Sequence, residues 1–289
     1  MFRKILKYDL HYIAKKWWIL AVTLLCGAFP GALLARGLAA DGGESQLLTG
    51  LLGVGAVLYL LPYAILLFGS FFVTAVLLYW RFYAHFFSDE GYLTFTLPVK
   101  RRTLLLAKIA NEMIWYAANL LLVCVCVLIF CCIAPPATEQ YPVINPIAFQ
   151  VLGQLLETLF ASLINGAWVL VYIPVLLLLL LAWTLFSTCL VQCCITIGAI
   201  VAKKHKLLAG IGIFYGVNLV LSGIGQLLLT VLGSSLAIGL MELLADATKD
   251  RINAVISLML LLFALLFFAL AYFAYALTQS RIERKLNLA

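Results

Sequence analysis

Residues 253–278 read NAVISLMLLLFALLFFALAYFAYALT, an apolar run without one charged side chain. A helix of about 20 such residues crosses a hydrocarbon core of roughly 30 Å, whereas a surface helix of a soluble domain keeps a polar face. Five more runs of this kind, near 17–38, 53–80, 110–134, 167–201 and 207–232, predict six spans in all. The fourth run would measure roughly 50 Å as a helix. It is expected to tilt, to bend near Pro174, or to project from the bilayer.

Composition agrees with the runs. Of 289 residues, 65% are hydrophobic and 11% charged, where a soluble domain keeps roughly a quarter charged. The net charge of +7 invites a nucleic-acid reading. The basic residues, however, form short clusters between spans and no continuous basic face, so no nucleic-acid partner is expected. The fold class is an all-α polytopic membrane protein, read as a single transmembrane domain over 1–289.

Orientation follows from the same clusters. Arg3, Lys4, Lys7, Lys15 and Lys16 precede the first span, and Arg81, Lys100, Arg101, Arg102 and Lys108 lie between the second and third. Lys203, Lys204 and Lys206 separate the fourth and fifth, and Arg281, Arg284 and Lys285 follow the sixth. Only Arg36, Lys249 and Arg251 fall on the other side. Positive-inside bias places both termini in the cytoplasm. The basic N-terminus and the apolar run after it show no small-residue cleavage site, so no cleaved signal peptide is expected.

Three segments are amphipathic. In 1–16, Phe2, Ile5, Leu6, Leu10 and Ile13 share a face that continues to Trp17, opposite Arg3, Lys4, Lys7, His11 and Lys15. Such a helix suits an anionic lipid surface. On the outer side, 147–165 carries a stripe from Phe149 to Leu163, and 235–250 sets Leu236, Leu240, Met241, Leu243 and Leu244 against Glu242, Asp246, Lys249 and Asp250.

Catalytic chemistry finds little support. There is no phosphate-binding loop of the G-x-x-x-x-G-K-[ST] type and no H-E-x-x-H. No catalytic, cofactor or metal residue is assigned, and the chain is not expected to be an enzyme. The eight cysteines lie in or beside apolar runs, which points to buried packing rather than disulfides or zinc. Glu112, one turn inside the third span, is expected to snorkel to the interface. Without ionisable groups at mid-depth, an ion-coupled carrier is disfavoured. Neutral polar groups in the spans, notably Asn119, Gln192, Asn218 and Gln226, either line a path or bond between helices. Gly27/Gly31 and Gly212/Gly216 have the spacing of close helix seams. Trp17, Trp18, Trp80 and Trp115 stand where interfacial anchors belong.

The connection 81–108 is too aromatic for a solvated turn. Phe86, Phe87, Tyr92, Phe95 and Leu97 would give a short element an exposed apolar surface, the usual mark of a docking site. Asp89 and Glu90 suit the start of a helix near Gly91, which Pro98 limits. The run D-E-G-Y-L-T-F-T-L-P-V-K-R, Asp89 to Arg101, with Leu104, Leu105 and Lys108 after it, resembles the membrane subunits of bacterial ATP-binding-cassette exporters of the second type. Lys203-Lys204-His205-Lys206-Leu207-Leu208 and the ending Lys285-Leu286-Asn287-Leu288 are similar to further pieces of that pattern.

The resemblance implies an interfacial elbow helix at the N-terminus, a cytoplasmic coupling helix in 81–108 and short outer amphipathic helices. It places Asp89, Glu90, Gly91, Tyr92, Phe95, Leu97 and Pro98 at the coupling contact. The implied partners are a cytoplasmic ATPase subunit carrying ATP and Mg, a second permease subunit (identical or related), and membrane lipid. The implied location is the bacterial plasma membrane. The alternative is a non-transporting scaffold or sensor subunit of an ATPase-containing complex.

Overall fold

The computed structural model describes residues 2–40, 46–88, 91, 99–134, 153–154, 157–158, 168–202, 205–244 and 249–285. Among these residues the chain is helical and has no strand. The long helices are α1 (Phe2–Ala40), α2 (Gln46–Phe87), α3 (Arg101–Ile133), α4 (Val169–Val201), α5 (Lys206–Leu244) and α6 (Lys249–Lys285). Each contains a stretch long and apolar enough to cross a membrane, so the chain has the build of a multi-pass membrane protein. Several exceed the bilayer core. α4, with 33 residues, is roughly 50 Å long, and it continues past Pro174 in its second turn.

The chain forms two compact units, 1–78 with 110–160, and 79–109 with 161–289. In the first unit α1 is a single helix from Phe2, with no break between residues 2–16 and the span that follows. Leu10, Ile13, Ala14 and Trp17 pack on Leu78 of α2 and on Trp115, Tyr116 and Ala118 of α3. The apolar face predicted for a lipid surface is thus spent, over these turns, on protein. Trp115 is only 8% exposed and lies 5.1 Å from Trp17, centroid to centroid. This corrects its reading as an interfacial anchor, whereas Trp18 and Trp80 are exposed.

Further along the same unit, Ala21, Leu24 and Ala28 meet Leu122 and Cys126. Tyr59 and Tyr63 of α2 donate their hydroxyls to the carbonyls of Gly27 and Leu24, both at 3.0 Å. A Cβ on Gly27 would lie 2.8 Å from the Tyr63 ring, and one on Gly31 would lie 3.1 Å from Tyr59. The Gly27/Gly31 spacing therefore receives two tyrosines of the same chain. It is not an open seam for a second copy.

In the second unit α4 packs most extensively on α6, and then on α5. Trp183 meets Phe267 edge-on at 5.0 Å, and the Tyr172 hydroxyl donates to Asn253 Oδ1 at 3.0 Å. α4 ends where Ala202 turns to extended backbone, and α5 starts at Lys206. So short a link forces the two helices to be antiparallel neighbours. They meet backbone to backbone: a Cβ on Gly198 would run into Gly210 N and Cα and lie 2.9 Å from Ala209 C.

Five cysteines (Cys126, Cys132, Cys189, Cys193 and Cys194) are buried, but Cys26, Cys124 and Cys131 are exposed. The expectation of buried packing fails for those three. They fall on the outer faces of their helices, where lipid accepts a thiol as readily as a core does.

Candidate functional site

Of the coupling residues, Asp89, Glu90, Tyr92, Phe95, Leu97 and Pro98 lie outside the described residues; Gly91 lies within. Its approach is firmly built. α2 continues to Phe87, which puts Phe86 one turn after Phe82 on the same inner face. Phe86 is 1% exposed and packs against Phe82 with ring centroids 5.0 Å apart and the planes tilted. It belongs to the core and not to an exposed patch, which corrects the expectation above.

Ser88 Oγ donates to Ala84 O at 2.6 Å, and the Gly91 amide donates to Ser88 O at 2.8 Å. Gly91 is buried so tightly that a Cβ would lie 2.8 Å from Phe86 O. On the far side of the connection, Lys100 O accepts the Thr103 amide at 2.9 Å and opens α3.

Between these stems, Lys108 Nζ approaches His85 Nδ1 at 2.8 Å. Lys108 is 3% exposed. An ammonium has only donors, so the imidazole nitrogen facing it acts as the acceptor. The Arg101 guanidinium donates to Ile282 O at 2.8 Å and to Glu283 O at 3.3 Å. Nothing in the sequence pattern pairs Arg101 with α6, because backbone acceptors leave no side-chain signature.

The four path candidates separate. Asn119 is fully buried in the first unit, where its Nδ2 donates to Ser70 Oγ at 3.1 Å. Gln192 is buried in the second unit. Asn218 and Gln226 share the exposed face of α5 with Tyr215, Ser222 and Thr230. These five fall within a roughly 120° arc at 100° per residue, about 22 Å along the helix axis. Tyr215, Gly216, Asn218, Leu219 and Ser222 line a shallow open depression there. A Cβ on Gly212, Gly216 or Gly223 would meet nothing within 4 Å. The Gly212/Gly216 spacing is thus unfilled by this chain, unlike Gly27/Gly31.

Asn119 has the geometry of an interhelical bond. Asn119→Leu is expected to change stability by less than about 1 kcal/mol, because Ser70 keeps its own bond to Leu67 O and a membrane hydrogen bond contributes little net. The thermal midpoint of the purified protein checks this.

Sequence reading missed several buried polar groups. Asp9, Asn111 and Glu112 of the first unit are all nearly inaccessible, with Glu112 at 2%. Glu112 does not snorkel. It sits three residues before Trp115 on the inward face of α3, and its side chain is enclosed by protein. The spacing 111–112–115–119 carried the signal, since i+3 and i+4 steps keep residues on one face.

Among the described residues no group of three His, Cys, Asp or Glu is placed to hold a metal ion. The chain matches no protein-family model, and comparison with curated proteins and with solved structures returns no significant relative.

Proposed function

We propose that the chain is the permease subunit of an ATP-driven exporter of the ATP-binding-cassette class. In this reading it docks a separate cytoplasmic ATPase through 89–98 and pairs with a second permease subunit. The observation that carries the reading is the run Asp89–Arg101, set between two stems that are fastened on both sides. Gly91 is seated against the end of α2, Lys108 is joined to His85, and Arg101 is joined to the end of α6. A docking element needs such stems, because a loop that flexes alone passes no displacement to the helices.

Conformational work comes from the partner, whose ATP binding shifts the permease between two states of small free-energy difference. The exposed polar face of α5 suits the second subunit. Asn218 and Ser222 each donate to a carbonyl of α5 itself, at 3.0 Å, and their side-chain oxygens, with the Gln226 amide, remain for an opposed copy where lipid offers no partner. The basic face of residues 3–15 is where anionic headgroups would be met.

Purified from its native membrane in mild detergent, the chain is expected to bring down an ATPase subunit, and the resulting complex to hydrolyse ATP. A preparation lacking both contradicts the reading. A second reading, an ion-coupled carrier, draws on the burial of Asp9 and Glu112 in one unit. It requires flux that survives without any ATPase.

A further inference from the structure

We infer that Arg101 ties the connection 89–100 to the end of α6, so that a partner docked on this connection moves α6 as well as the two helices it joins. The inference rests on the docking reading above. Arg101 is the first residue of α3, directly after the connection. Its Nη1 donates to the carbonyls of Ile282 and Glu283, 181 and 182 positions away. Those carbonyls lie in the last described turn of α6.

Ile282 is buried, so the turn that Arg101 holds is packed rather than frayed. The neighbouring Arg102–Glu283 pair, at 4.0 Å with both side chains well exposed, adds little. Two turns along α3, Lys108 reaches His85 in the last turn of α2. The first two turns of α3 therefore hold the ends of both α2 and α6. From α6 the contacts continue into α4 through Phe267–Trp183 and Asn253–Tyr172. They pass on to α5 at Gly198 and Gly210.

A cap and a tie make different predictions. An arginine that only caps α6 protects its last turn whatever the connection does. An arginine that ties makes this protection depend on the connection, and the two perturbations then fail to add.

The test uses the full chain alone in lipid nanodiscs and reads amide hydrogen exchange over residues 276–285. Four proteins are compared: wild type, Gly91→Ala, Arg101→Gln and the double variant. Gly91→Ala presses a Cβ against Phe86 O and disturbs the connection from the α2 side. Val99→Asp replaces it should that protein fail to insert. Arg101→Gln is expected to speed exchange about tenfold and Gly91→Ala several-fold, with the double variant no faster than Arg101→Gln. Unchanged exchange in Gly91→Ala, or effects that multiply in the double variant, would overturn the tie. No ATPase is present, so this outcome is independent of whether one docks.

Discussion

Gly198→Leu is expected to drive α4 and α5 apart and to leave little folded protein in the membrane. The reason is the absence of any yielding neighbour. An added Cβ meets Gly210 N, Gly210 Cα and Ala209 C, which are backbone atoms and cannot rotate away. Gly210 is confined too, though less severely, since its own Cβ would stand 3.0 Å from Ile195 Cα. Overpacking at a site with flexible neighbours costs about 1–3 kcal/mol, and a backbone contact belongs at or above the upper end. The thermal midpoint and the folded yield after detergent extraction read the effect. Gly69→Leu is the control, because its added Cβ meets nothing within 4 Å and leucine has the higher helix propensity. Equal loss in both variants would mean that the close approach of α4 and α5 is not what holds this pair.

Gly216→Trp is expected to leave the single chain folded and to break its pairing. Gly216 borders the depression beside Tyr215, Asn218 and Ser222, and nothing of this chain lies within 4 Å of its Cβ position. If the α5 face meets a second subunit, a bulky ring there holds the backbones apart and removes the close packing on which membrane association depends. Pairing is then expected to weaken about a hundredfold or more. Crosslinking in native membranes measures the pairing, with the thermal midpoint as the check on folding. Unchanged pairing would exclude this face as the seam.

Much of the fold was legible because lipid imposes a one-dimensional rule. Every backbone group must be satisfied within its own segment, so a long apolar run is a helix and little else. The six runs and their helices overlap for that reason. Which face of each helix meets protein and which meets lipid is harder, because both surroundings are apolar and the sequence shows no contrast between them. Trp115 and three of the cysteines were misjudged on this account, and Phe86 because α2 runs on past its apolar stretch and carries that ring into the core.

The glycine pairs show the same limit. Gly27/Gly31 and Gly212/Gly216 share one spacing, yet the first receives Tyr59 and Tyr63 while the second stands open. Buried polar residues were legible in principle, since Asn111, Glu112 and Asn119 keep helical register with Trp115. The Arg101 contact was not, because its acceptors are carbonyl groups that every residue carries.

The central claim is that residues 89–98 dock an ATPase. Co-purification from native membranes, comparing wild type with the Glu90→Arg, Leu97→Asp double variant, tests it most directly. The account predicts that the ATPase accompanies the wild-type chain and is lost from a double variant that inserts normally. An ATPase recovered equally with both would contradict docking at this connection.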